Sequence, residues 1–358
     1  MKNLFNIKNA AMIVAAFGIT LTSCSDDDVV ITATEDYSSN LNNIALNVVV
    51  KNYEVLKQKG EVAATTANAV QIGNQEALNA ARQAWIEMRI YWENSETTLY
   101  GPAGDEGLGV DGNIDSWPID LQFVNEVLGA SSPITVNFIA EQDANAKGFH
   151  ALEYLLWGID GQKTADQLTA REIDYIKATA GYLSQQTTNL YNAWNPAGTN
   201  FARNLTDADN GIYQSQIAAL IQVVDGMVVI ADEVGNGKMY DPMYGNNGSF
   251  SLEDEESRFS NNSKADFADN IRGIKYIYSG DYQSSGLGLS EIVAVQNPTL
   301  DTAIKTAIDE AIAGIENIPG TFTSAIQNNR PAVENAIDKV IILQEILDSQ
   351  LKPYISGL

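Results

Sequence analysis

The chain has 358 residues, with 46 acidic and 21 basic side chains, a formal charge of −25, one cysteine and one histidine. One cysteine excludes a disulfide framework, a thiolate zinc finger and an iron–sulfur cluster, and one histidine excludes any site built on several imidazoles, the HExxH zinc-protease pattern included. The charge excludes nucleic acid as a partner, since its phosphates are repelled, while 45% hydrophobic and 8% aromatic residues belong to a folded globular protein.

Residues 1–23 carry Lys2 and Lys8, then an apolar run from Ala10 to Leu21, then Leu21-Thr22-Ser23-Cys24. This is a signal-peptide pattern, because a run of about 12 residues is shorter than the ~20 a transmembrane helix needs. Leu-Thr-Ser-Cys resembles a bacterial lipobox, which implies cleavage before Cys24, diacylation of its sulfur and acylation of the new amino group. The alternative is a plain secretory signal with an incidental cysteine, yet the chain's one cysteine falls where a lipobox requires it. Ser25-Asp26-Asp27-Asp28 follows and resembles the acidic export signal of surface lipoproteins in Bacteroidetes-type bacteria. The resemblance implies an outer-membrane lipoprotein, exposed at the cell surface and held to the bilayer through acylated Cys24. Loss of residues 1–23 removes two lysines and no acids, which takes the formal charge to −27.

Past an acidic tether over residues 24–40, the pattern is helical nearly throughout. Leu41, Ile44, Ala45, Val48, Val49, Tyr53 and Leu56 recur at three- and four-residue steps, as do Ala77, Ala81, Ala84, Trp85, Met88 and Trp92. Thr169 and Glu172 have capping-box spacing ahead of a helix running towards Trp194. Further amphipathic stretches cover Ile212–Val234, Lys264–Tyr278, Leu300–Ile318 and Pro331–Ile355, and sustained period-two alternation is absent. The chain is therefore expected to be all-α. Asn195-Pro196-Ala197-Gly198 breaks it into two helical bundles, residues 41–200 and 201–358. Gly101–Asp115, with its many glycines, reads as a long polar loop of the kind that carries function, and Gly235–Ser249 as a Gly/Asn-rich loop.

Two helices carry ionisable groups where solvent-facing charge does not belong. From Phe149 to Trp157 only His150 and Glu153 break an apolar and aromatic run, and at i and i+3 they project from one face of a helix expected to be buried. Burying both without partners is costly, which marks the pair as a candidate site, against the plainer reading of a hydrogen bond that satisfies a core histidine. Trp85, Arg89, Trp92 and Glu96 fall on a second stripe, so Arg89 and Glu96 either snorkel to water or enter a polar pocket between helices.

These blocks resemble the imelysin family. Arg82-Gln83-Ala84-Trp85 with Arg89, Ser95-Glu96 and Gly101-Pro102 form the first, and the family's Gly-x-His-x-x-Glu signature stands as Gly148, His150 and Glu153. Asp115-Ser116-Trp117-Pro118 matches a Trp-Pro segment, and Glu256-Ser257-Arg258-Phe259-Ser260 opens a third block that runs on to Leu289. The resemblance implies two helical-bundle domains packed side by side, the site at their interface, in surface or periplasmic proteins of bacterial iron uptake. It places His150 and Glu153 in the site as metal contacts, with Arg89, Glu96, Asp115, Ser257 and Arg258 as ligand-binding neighbours, and an iron-transport protein as partner. The family also carries a metallopeptidase label, under which Glu153 would be base or ligand. One imidazole cannot complete a catalytic zinc site of the usual kind, so a metal at His150 needs carboxylates such as Glu153, Glu96 or Asp115, a set better suited to iron, manganese or calcium. The arginines would suit a bound anion such as a carboxylate-bearing chelate. The expectation is a non-enzymatic lipoprotein that binds iron or an iron-bearing ligand, with a metal-dependent peptidase and a surface interaction protein as rivals.

Overall fold

The structure, a computed structural model, describes residues 36–104, 106–245 and 247–358; the signal segment, Cys24 and the acidic run after it lie outside them. Among the described residues helix is the regular structure and no strand forms. Eight helices carry the architecture: α1 (Val50–Asn68), α2 (Gln75–Ser95), α3 (Gly148–Trp157), α4 (Ala170–Trp194), α5 (Gln216–Asp232), α6 (Ser263–Ser279), α7 (Pro298–Glu316) and α8 (Arg330–Ile346).

The helices begin where the side chains can satisfy free N–H groups. Asn74 accepts from Ala77 N at the start of α2, and Thr169 and Glu172 close a reciprocal capping box at the start of α4. The three- and four-residue apolar rows become the core: Leu41, Ile44, Tyr53, Leu56, Leu78, Trp85, Met88 and Trp92 are all fully buried.

In the first half of the chain, α1 packs against α2 and α4, and α4 also covers α3. In the second half, α7 lies between α6 and α8, and α5 packs along α8. The main link between these groups is α6 on α2, with α5 packed against the Glu96–Thr98 turn that follows α2. Their backbones approach closely because Gly273 has no side chain: a Cβ there would stand 2.4 Å from the Asn94 carbonyl oxygen. Residues 36–358 together make one compact unit, and none of its helices is long and apolar enough to cross a membrane.

Two segments expected to be loops are partly helical. Gly101–Asp115 contains the turns Gly101–Ala103 and Val110–Ile114, and the stretch after Gly235 lies within a π-helical turn, Glu233–Lys238, followed by Tyr240–Tyr244. Glycines suppressed the helical pattern in both, but Val110, Ile114, Val234 and Met243 are buried and pin the turns to the core.

Candidate functional site

Five segments deliver charged side chains to one buried cluster. From α2 come Arg89 and Glu93, one turn apart, with Glu96 just past its end; the turn after Val110–Ile114 supplies Asp115; α3 supplies His150 and Glu153. The π-helical turn ends in Lys238, and Glu256 and Asp266 come from the segment leading into α6 and from α6 itself. All nine side chains are less than a tenth exposed. A π turn widens the helix by one residue, a device common at functional sites, and here it aims Lys238 inward.

Arg89 is the hub of the inner end. It pairs with Glu93 and Asp115, and its Nη2 lies 2.8 Å from Glu256 Oε1 and 3.2 Å from Asp266 Oδ2. The Phe149 ring lies under the guanidinium at 4.9 Å. Trp92 Nε1 donates to Asp115 Oδ2 at 2.5 Å. Lys238 Nζ anchors the outer end, 2.9 Å from Glu96 and 3.5 Å from both Glu93 and Glu256. Asn270 donates to Glu93 and Glu96 at 2.7 and 2.5 Å.

His150 sits between these ends. Its Nδ1 faces Glu153 Oε2 at 3.2 Å, while Nε2 stands 3.2 Å from Asp115 Oδ1 and 3.4 Å from Glu256 Oε1 without hydrogen-bond geometry to either. Trp117 packs edge-on against the ring at 4.9 Å, and its own Nε1 donates to Glu253 O at 2.9 Å. Glu153 Oε1 accepts from both the backbone N–H and the hydroxyl of Ser260, each at 2.7 Å.

Six carboxylates therefore face two permanent cations and one imidazole. Burial alone would lower the basicity of Arg89, His150 and Lys238, but the surrounding carboxylates outweigh it and hold each well above its ordinary value. The carboxylates divide. Burial would raise Asp115 and Glu256, yet Arg89 and His150 hold Asp115 far below the carboxylate range, and Lys238 and His150 bring Glu256 to about 2. Burial wins at Glu93, pushed up to about 7, at Asp266, about 6, and at Glu96, where the charge of Glu93 adds to it.

The outer end opens on a cleft of about 420 Å³. Its lining holds seven carboxylates, Glu96, Asp111, Asp115, Glu233, Asp241, Asp254 and Glu256, against the single cation Lys238. Two donor triads share Asp115: an inner one with His150 and Glu256, and an outer one with Glu96 and the exposed Asp111. In each, ligand atoms from all three residues lie within 4.8 Å of one another, close enough to surround one ion.

The imelysin family profile matches residues 49–349, most of the chain. The protein belongs to the imelysin family. Iron-regulated protein A of Synechococcus elongatus is 27% identical over 287 residues, covering 78% of this chain and 75% of that one. The crystal structure of an iron-regulated protein A precursor from Parabacteroides distasonis superposes with a TM-score of 0.77 at 25% identity, covering 88% and 94% of the two chains. An imelysin-like protein from Psychrobacter arcticum has the same fold, with a TM-score of 0.72 at 17% identity over 89% and 95%.

The imelysin signature acquires a physical reading from this geometry. Gly148 has φ +82°, and a Cβ on it would stand 2.1 Å from the Ile114 carbonyl oxygen, so only glycine lets α3 start against the residue before Asp115. That contact sets His150 beside Asp115. Of the residues singled out in the sequence, the structure brings together His150, Glu153, Arg89, Glu96 and Asp115. Ser257 is buried beside Asp266 with φ +55°, at the edge of the cluster. Arg258 stands apart, its guanidinium over the Phe259 ring at 4.9 Å. Sequence reasoning passed over Glu93, Asp111, Lys238, Glu256 and Asp266 as site residues. Glu93 carried a signal, an acid four residues after a buried arginine; Lys238 was hidden in a glycine-rich stretch.

Proposed function

We propose that this imelysin is a lipid-anchored protein of the bacterial outer membrane, acylated at Cys24 and facing the cell surface, that binds iron or an iron-bearing ligand for uptake. The site is the acidic cleft with His150 and Glu153 at its base, framed by the two bundles, residues 41–200 and 201–358, and an iron-transport protein is the expected partner. One observation carries the reading: His150 Nε2 stands 3.2 and 3.4 Å from oxygens of Asp115 and Glu256, two carboxylates that line the acidic cleft. Ligand atoms around one ion at bond lengths of about 2.2 Å are spaced by about 3 Å when adjacent. Oxygen donors with one nitrogen suit iron or manganese. The likeness to iron-regulated protein A supports iron among these.

The peptidase reading needs Glu153 as a base or ligand. Both its oxygens are engaged, Oε1 by Ser260 and Oε2 by His150, and the side chain is fully buried and does not line the cleft, where a catalytic base would have to reach. Arg89 is equally committed, paired with four carboxylates, and acts as a charge partner.

The test is calorimetric titration with Fe²⁺ under argon. His150→Ala should abolish binding while circular dichroism shows an intact helical fold, and unchanged binding in a folded variant refutes the assignment. Because the surrounding carboxylates favour a protonated His150, which must lose that proton to ligate, binding should also release protons, read as a dependence of the heat on buffer ionisation enthalpy.

A further inference from the structure

We infer that the outer face of the π-helical turn, where it lies on α8, is a docking groove for a basic amphipathic helix of a partner protein. The surface lies outside the cleft, and the inference does not depend on a metal there.

The groove follows the seam between α5, its π-helical extension and α8. Gly235 lets the turn lie flat on α8, since a Cβ there would stand 3.3 Å from both Ile341 and Val340. Two hollows mark the solvent side of the seam: one of about 530 Å³ beside Val229 and Gln344, and one of about 310 Å³ beside Tyr240 and Ile341. They are successive parts of one groove, because both edges advance by one helical turn between them, from Gly237 to Tyr240 and from Gln344 back to Ile341. From Glu334 to Gln344 the α8 edge runs about 15 Å, the length of about three turns of a docked helix.

The floor is apolar and open. Val229 is 61% exposed and Tyr240 44%, with Val228, Ile341 and Tyr244 half-buried between them. Single exposed apolar side chains are ordinary, but a contiguous set inside a polar rim marks a protein-binding face. Here the rim is acidic on both edges, Asp232 and Glu233 on one and Glu334 and Asp338 on the other. Among the described residues no cation lines either hollow, and nearby Arg330 is laid over the Tyr244 ring at 4.8 Å and donates to Met243 O at 3.2 Å. Two acidic edges beside an apolar floor complement a helix whose apolar stripe is flanked by lysine or arginine. The same edges repel a second copy of this chain, whose matching face carries the same charges.

The groove shares a wall with the cleft. Glu233 and Gly237 line both, so the π-helical turn separates them, with Lys238 on the cleft side. A helix seated in the groove bears on the turn that holds Lys238 among Glu93, Glu96 and Glu256.

Fluorescence anisotropy of labelled peptides with the whole protein tests this. The probe is a Leu/Lys peptide with leucines at i, i+3, i+4 and i+7 spacing, and the controls are its scrambled isomer and its Leu/Glu counterpart. The probe should bind about ten-fold more tightly than the scrambled isomer, and the Leu/Glu peptide should not bind. Val229→Gln with Tyr240→Gln, at exposed positions that leave the circular dichroism unchanged, should weaken the probe by about ten-fold. Asp232→Asn with Asp338→Asn should flatten the fall of affinity with salt. A benzophenone on the probe should crosslink to α5, the π-helical turn or α8. Equal affinity for the scrambled isomer, wild-type affinity in the Val229/Tyr240 variant, or crosslinks confined to other elements each overturn the inference. Self-association in sedimentation velocity that the Val229/Tyr240 variant abolishes overturns it in favour of a second copy of the chain.

Discussion

Arg89 and Lys238 share two of their carboxylates, Glu93 and Glu256, yet the structure holds the two cations differently. Arg89 is wholly buried in mid-helix, its planar fork laid over Phe149 and spread across four carboxylates. Lys238 ends a π-helical turn and lines the open cleft on a flexible four-carbon stem. A guanidinium is pre-organised and permanently charged, whereas an ammonium is a mobile point charge. The inner end of the cluster is thus built to stay and the outer end to exchange.

The largest effect should come from breaking the inner end. Arg89→Met strands four buried carboxylates and should cost about 3–5 kcal/mol in urea unfolding. Lys238→Met should cost less, because cleft water reaches Glu96 and Glu256, and it should tighten Mn²⁺ binding. A Lys238 variant less stable than the Arg89 variant would invert the comparison.

The pH dependence of stability follows from the same division. Glu93 and Asp266 have folded pKa values of about 7 and 6, raised above their ordinary 4.5 and 3.8, so their contribution is complete below the ordinary values and is lost as pH rises through the folded ones. His150, also raised, adds a loss above its ordinary 6.5. Glu256 is lowered from 4.5 to about 2, so its support is present above 4.5 and lost as pH falls through 2. The urea midpoint should therefore be higher near about pH 5 than near about pH 8. In Arg89→Met the deficit should be greater at the higher pH, where more of the stranded carboxylates are charged.

Two smaller perturbations sharpen the picture around His150. Gly148→Ala forces a side chain onto φ +82° and into the Ile114 carbonyl, costing about 1–3 kcal/mol from the backbone alone. It should also weaken metal binding by separating His150 from Asp115. Ser260→Ala removes one of two hydrogen bonds to Glu153 Oε1 and should cost about 1 kcal/mol, with cation affinity little changed.

The all-α fold was legible because helical periodicity is local, and the capping box at Thr169 and Glu172 marks the start of α4 where the structure has it. His150, Glu153, Arg89 and Glu96 stood out for the same local reason, as ionisable groups on apolar stripes. Asp115 could be found only by resemblance, since nothing around it is periodic. Glu256 and Asp266 are polar residues in polar surroundings, and their burial follows from α6 packing onto α2, which no short window of sequence reports. Lys238 was obscured because Gly235 and Gly237 just before it read as loop, whereas buried Val234 and Met239 hold that turn in place. Arg258 stood in a matching block, but its side chain turns onto Phe259.

The separation along the chain between Arg89 and its partners bears on how the protein assembles. Glu256 and Asp266 lie 167 and 177 residues beyond it, and Asn270 meets Glu93 across 177. Loop closure of that span must come before any of these contacts is rewarded. Until then the first half of the chain carries Arg89 with only Glu93 and Asp115 to neutralise it, and the second half carries Glu256 and Asp266 without the guanidinium of Arg89. The ionic cluster cannot support early folding; it forms when the halves dock and ties their docking into one cooperative event. Occupancy of the cleft by a cation would then report that the whole chain has finished folding.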